Sequence, residues 1–117
     1  MTAAAGRYPQ LVTCERAGCG TVPGDPRLAE ITANVRSRHP DQAVLLNTLV
    51  IAEEAGEAVQ KIRRHLGLGR SEASIDEVAE ELADVIISTA VTAALLGIDI
   101  DQAVDTKLDR IIDRGGR

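Results

Sequence analysis

From residue 25 onward, apolar residues recur every three or four positions, and the runs break at Pro, Gly and Ser. The stretch "DPRLAEITANVRSRHP" predicts a first helix, with Asp25 as N-cap, Pro26 at its first position and Pro40 ending it. Asp41 is then placed to cap a second helix from about Gln42 to His65, and Gly67 and Gly69 supply the positive φ that stops it. "SIDE" reads as a capping box, with Ser74 as N-cap and Glu77 at N3. It opens a third helix that continues through "EVAEELADVIISTAVTAALL" to Gly97. Asp99 and Gln102 make a similar cap for a fourth, "IDQAVDTKLDRIIDR", in which Val104, Leu108, Ile111 and Ile112 face inward. Residues 1–25 are rich in Ala, Gly, Thr and Pro without a sustained period, and read as a flexible or irregular arm before a helical domain over 26–117.

The second half of the third helix is apolar nearly all round. A helix with no polar face needs cover on every side, so residues 85–96 imply a partner subunit and an oligomer, most simply a dimer. The chain's 117 residues suit one domain, and 44% hydrophobic content suffices for a core. That core is aliphatic: the sequence holds no Trp and no Phe, and its one Tyr is Tyr8. The pattern is that of an all-α bundle.

Charge removes several classes of function. The net charge is −5, with carboxylates clustered in mid-chain and no face rich in Lys and Arg, which argues against a DNA- or RNA-binding module. No run approaches the roughly 18 uninterrupted apolar residues of a membrane span, and no charged n-region precedes an apolar h-region. The expectation is a cytoplasmic protein with no membrane partner. Cys14 and Cys19 in "CERAGC" have a spacing that suits half of a zinc site, but no second pair follows, so they read as reduced and inert.

The chemistry lies in the acids of "NTLVIAEEAGEAVQKI". At about 100° per residue, Leu46, Val50, Glu53 and Glu57 fall within roughly 60° of one another, with Glu54 on the flank of that stripe. Carboxylates aligned with core positions are costly unless paired, hydrogen-bonded or bound to a cation, so they ask for a compensating positive charge. In the third helix Glu81 and Asp84 stand three residues apart and share a face. If the second and third helices pack antiparallel, Glu54 and Glu57 meet Glu81 and Asp84 across the groove. Four converging carboxylates raise each other's pKa values unless divalent cations sit between them, and an all-oxygen set selects a hard ion: Mg²⁺, with Mn²⁺ as a substitute. A di-iron bundle normally needs Glu-x-x-His on two helices, and His follows neither Glu54 nor Glu81 at that spacing.

These residues resemble the MazG-like all-α nucleoside triphosphate pyrophosphohydrolases, whose signature is E-E-x-x-E followed after a variable gap by E-x-x-D. The chain reads "EEAGE" at 53–57 and "ELAD" at 81–84, and "LGIDIDQAV" further on is also similar to the family. The resemblance covers residues 41 to about 114. It implies a four-helix bundle assembled as a dimer or dimer of dimers. It implies Glu54, Glu57, Glu81 and Asp84 as Mg²⁺ ligands, and Glu53 as the group that places or deprotonates the attacking water. The reaction implied is hydrolysis between the α and β phosphates, NTP or dNTP to NMP plus pyrophosphate. Lys107 and Arg114 match basic positions that contact phosphates in the family. Two family features are missing: Ile111 stands where relatives often carry Asn, and no aromatic lies in residues 41–117 to stack the base. They leave a second reading, a catalytically weak helical dimer that binds nucleotides or protein partners. Lys61, Arg63, Arg64 and His65 are accounted for by the carboxyl-terminal dipole of the second helix alone.

Overall fold

The computed structural model describes residues 24–115, and within them the chain is all-helical. The expectations for the arm, including Cys14 and Cys19, lie outside the described residues. The four helices are α1 (Pro26–Arg38), α2 (Ala43–His65), α3 (Ile75–Leu95) and α4 (Ile100–Asp113).

The ends of the helices follow from local hydrogen bonding. Asp25 caps α1 by accepting from the Arg27 N–H at 2.9 Å, with Pro26 in the first turn. Its carboxylate also pairs with the Arg27 guanidinium, which holds the Asp25 pKa down at about 2. The box at α3 is complete: Glu77 N–H donates to Ser74 Oγ at 3.1 Å, and Ser74 N–H donates to Glu77 Oε2 at 2.7 Å. Asp99 caps α4 by accepting from Gln102 N–H at 3.1 Å. Asp41 does not cap α2. Pro40 opens a turn closed by Gln42 N–H on His39 O at 3.2 Å, so Asp41 falls inside the turn and Gln42 takes the cap position without a side-chain bond.

Both long helices stop alike. At α2, Leu68 N–H reaches Arg63 O at 2.8 Å and Gly67 N–H reaches Arg64 O at 3.1 Å, with Gly67 at φ 76°. At α3, Ile98 and Gly97 repeat this geometry on Ala93 and Ala94, with Gly97 at φ 70°. Gly69, expected to share the left-handed conformation, does not adopt it. Its role is space: a Cβ there would come within 2.7 Å of Arg64 Cγ.

α2 and α3 form an antiparallel pair. Asn47 meets Ser88 and Thr92, Lys61 meets Glu77, and His65 meets the Ala73 carbonyl, so ascending positions on α2 face descending ones on α3. α1 packs mainly on α3, where Leu28, Ala90 and Val91 form the core with Val35, Ile87 and Leu95 against them. Val91 is 2% exposed, and much of the remaining buried apolar surface belongs to alanines, namely Ala43, Ala58, Ala73 and Ala93. Small side chains let the helices approach closely, and the large ones are pushed outward.

The consequence is uncovered apolar surface. Leu45 and Leu49 on α2 are exposed in the single chain, and so are Ile86 and Leu96 within residues 85–96, the stretch expected to be covered by a partner subunit. The chain bends by 112° between α3 and α4, and α4 buries none of its residues; Ile112 is 71% exposed. The inward-facing stripe expected of Val104, Leu108, Ile111 and Ile112 therefore finds no core within a single chain. Among the described residues, no single helix is long and apolar enough to cross a membrane.

Candidate metal centre

The α2/α3 seam is built in polar layers. On α2 the buried line passes through Ala43, Asn47 and Ala58, and Glu54 falls on it, seven residues after Asn47. Nearest the carboxyl-terminal end of α3, Asn47 Nδ2 donates to Ser88 O at 3.0 Å and to Thr92 Oγ1 at 2.7 Å, and Thr92 Oγ1 donates to Ser88 O at 2.8 Å. Nearest the α2–α3 loop, Lys61 Nζ lies 3.5 Å from Glu77 Oε1. Between these two layers stand the acids.

Glu54, Glu57 and Glu81 each bring a carboxylate oxygen to one place, all within 4.8 Å of one another. Glu54 and Glu81 are half-buried and Glu57 is exposed. Glu54 Oε2 is sealed from solvent and has no hydrogen-bond partner. Burial is the largest cause raising the Glu54 pKa above its ordinary value, followed by the charges of Glu57, Asp84, Glu53 and Glu81. Glu81 is raised too, first by burial, then by Glu57 and Asp84, with Lys61 opposing. A buried, unpaired carboxylate oxygen facing two other carboxylates is costly when charged, and either a proton or a bound cation relieves it.

The sequence-derived acids are thus drawn together to different degrees. Glu54, Glu57 and Glu81 converge; Asp84, one turn beyond Glu81, contributes its field to both half-buried acids without joining the tight group. Glu53 is exposed at the rim, close enough to act on Glu54. This corrects the rotation of α2: the inward acid is Glu54, and Glu53 and Glu57 are exposed. The contact line runs through Asn47 and small alanines, which hydrophobic counting overlooks. Lys107 stands on α4 and Arg114 caps its carboxyl-terminal end, and neither is brought to the acids within the chain. Lys107 lines a shallow hollow with Asp99, Gln102 and Arg110, and Arg114 Nε donates to Arg110 O at 3.2 Å. The cation whose field reaches Glu81 is Lys61, which the sequence reading gave to the helix dipole. Its spacing of seven from Glu54 was the available signal. His65 turns Nδ1 to Ala73 O at 3.0 Å and so ties the end of α2 to the start of α3.

An all-α chain with carboxylates facing each other across an antiparallel helix pair belongs to the class of helical proteins with an acidic site able to hold a cation. Residues 42–116 match the model of the MazG nucleotide pyrophosphohydrolase domain, and the chain belongs to that family. Neither the curated proteins nor the solved structures compared with the chain include a significant match.

Proposed function

We propose that the chain is a Mg²⁺-dependent nucleotide pyrophosphohydrolase that converts an NTP or dNTP and water to the NMP and pyrophosphate. The observation that carries this reading is the convergence of Glu54, Glu57 and Glu81 around a buried Glu54 oxygen with no partner, in a chain of this family. The donors fit a hard divalent cation: all are carboxylate oxygens, they are close enough to share an ion, and one of them is costly without it. Mn²⁺ fits the same donors.

Glu54, Glu57 and Glu81 would hold the ion, with Asp84 completing the set from one turn away. When bound, a divalent cation neutralises phosphate charge and lowers the pKa of a coordinated water. The residues supply the rest. Glu53 at the rim accepts the proton of the attacking water, and the fixed antiparallel seam holds the carboxylates in place so that little reorganisation is needed during reaction. Bond formation from water to the α phosphorus and loss of pyrophosphate leave the NMP.

We further propose that two or more copies associate through Leu45, Leu49, Ile86 and the apolar face of α4, forming a dimer or a dimer of dimers, and that the protein is cytoplasmic. Association is also the route by which Lys107 and Arg114 of a neighbouring copy reach the acids. A second reading, a helical module that binds nucleotides but turns them over weakly, draws on the lack of any aromatic in residues 41–117 to stack a base. Pyrophosphate release from a panel of NTPs and dNTPs with Mg²⁺ decides between them. Turnover on at least one member is expected; metal binding without turnover on any leaves the module.

A further inference from the structure

The acids and the Asn47 layer share one register. Seven residues lead from Asn47 to Glu54 along α2, and seven lead back from Ser88 to Glu81 along α3, so in an antiparallel pair the two layers move in step. Seven residues advance a helix by about 10.5 Å and return it to within about 20° of the same direction. Whatever fixes Asn47 against Ser88 therefore fixes Glu54 against Glu81.

Buried hydrogen bonds do the fixing. Asn47, Ser88 and Thr92 are all buried, and the Asn47 amide donates to the Ser88 carbonyl at 3.0 Å and to Thr92 Oγ1 at 2.7 Å, with Thr92 Oγ1 donating in turn to Ser88 O at 2.8 Å. The NH₂ group must face this way, because a carbonyl oxygen only accepts. Ser88 and Thr92 lie one turn apart, so the amide is held at two heights along α3. Among the described residues Asn47 is the one buried side chain that donates a hydrogen bond across the seam. On the loop side of the acids the links are looser: Lys61 meets Glu77 at 3.5 Å with both side chains partly open to solvent, and His65 meets Ala73 O in the connection before α3.

Packing and charge pull the other way. A slip of α2 by one turn, about 5.4 Å, puts Ala58 in the place of Glu54 and Ile51 in that of Asn47; the opposite slip puts Val50 and Ala43 there. Ala43 and Ala58 are buried already, and Val50 and Ile51 are half-buried, so all four suit the seam. Either slip also separates the carboxylates, which repel one another when no cation lies between them. What opposes it is the loss of both Asn47 bonds, with the amide left buried and unpaired. A single buried Asn can set helix register in this way at some cost in stability. Resting on the proposed reading of the acids as a cation site, we infer that Asn47 is a positioning residue for that site: it holds α2 in the register in which Glu54 and Glu57 face Glu81, against a one-turn slip that the metal-free seam would otherwise favour.

Metal affinity and stability, measured side by side on the full chain, separate this role from a merely structural one. Asn47→Leu keeps the branched shape of the side chain but cannot hydrogen-bond, and Thr92 Oγ1 still has Ser88 O to donate to. In calorimetric titration this variant should bind Mg²⁺ about tenfold or more weakly than the wild type, the scale of losing a group that orients metal ligands. Its Tm in EDTA should equal or exceed that of the wild type. Thr92→Val removes one of the two acceptors without changing shape and should weaken Mg²⁺ severalfold, whereas Thr92→Ser keeps the oxygen and should restore wild-type affinity. A structural Asn47 gives the opposite pattern, a lower Tm in EDTA with Mg²⁺ affinity unchanged. That pattern, or equal affinities in Thr92→Val and Thr92→Ser, would overturn the positioning role and leave the cation site standing. If Asn47→Leu does not fold, the two Thr92 variants decide alone. If the wild type binds neither Mg²⁺ nor Mn²⁺, the positioning role falls together with the reading it rests on.

Discussion

Two neighbouring layers of the α2/α3 seam use similar materials to opposite effect. In the Asn47 layer, each amide hydrogen meets an acceptor, and Thr92 and Ser88 close the network. In the Glu54 layer, two turns along, three carboxylates approach within 4.8 Å and a buried oxygen is left unpaired. The first layer is complete as folded, and it fixes the register of the two helices. The second is left unpaired as folded, and on the proposed reading a cation completes it. Polar groups at a helix interface are structural when they satisfy one another, and they mark a ligand when they do not.

The comparison breaks most visibly in turnover. Glu53→Gln should spare Mg²⁺ binding and lower kcat by about 10²- to 10⁴-fold, the range of a lost general base, whereas Glu57→Gln should lower both Mg²⁺ affinity and turnover. Calorimetric Mg²⁺ titration beside steady-state kinetics checks this, and equal loss of metal affinity in both variants makes Glu53 another ligand. In the neighbouring layer, Asn47→Ala should act on the fold, destabilising by about 1–3 kcal/mol in denaturant melts, because Ser88 O and Thr92 Oγ1 lose a buried partner.

A pH series sharpens the contrast. Folding raises the Glu54 and Glu81 pKa values above the ordinary 4.5, so across the interval above 4.5 the native state binds more protons than the unfolded chain. Their contribution to stability is fully present below that value and is lost as pH rises. Metal-free protein should therefore gain in Tm as pH is lowered from 7 toward about 5, and saturating Mg²⁺ should flatten that gain. The smallest effect belongs to a site remote from the acids: Ser74→Ala removes one half of the capping box and should cost about 1 kcal/mol at any metal concentration.

Much of this was legible in the sequence, for specific reasons. Caps and stops are local chemistry, so Asp25, Pro26, Ser74, Glu77, Gly67 and Gly97 announce the helix ends, and "EEAGE" with "ELAD" locates the acids. What was illegible depended on packing. The rotation of α2 was misjudged because Asn47 and Ala58, one polar and one small, form the contact line, while Leu45 and Leu49 remain exposed. Lys61 could be placed only once Glu77 was seen opposite it, since its helix-end position already gave it a local explanation. The stripe on α4 was read correctly as amphipathic, but the 112° bend after α3 withholds a core from it.

The central claim is that the Glu54 layer is strained without a cation and relieved by one. Thermal unfolding of the wild type and of Glu54→Gln, each with EDTA and with Mg²⁺, tests it most directly. For the wild type, Mg²⁺ at a hundredfold excess over its Kd should add about 2.7 kcal/mol. Glu54→Gln should be more stable than the wild type in EDTA, because a buried charge among like charges is gone, and should respond little to Mg²⁺. A wild-type Tm that is the same in EDTA and Mg²⁺, or a Glu54→Gln variant that is less stable than the wild type in EDTA, would contradict the account.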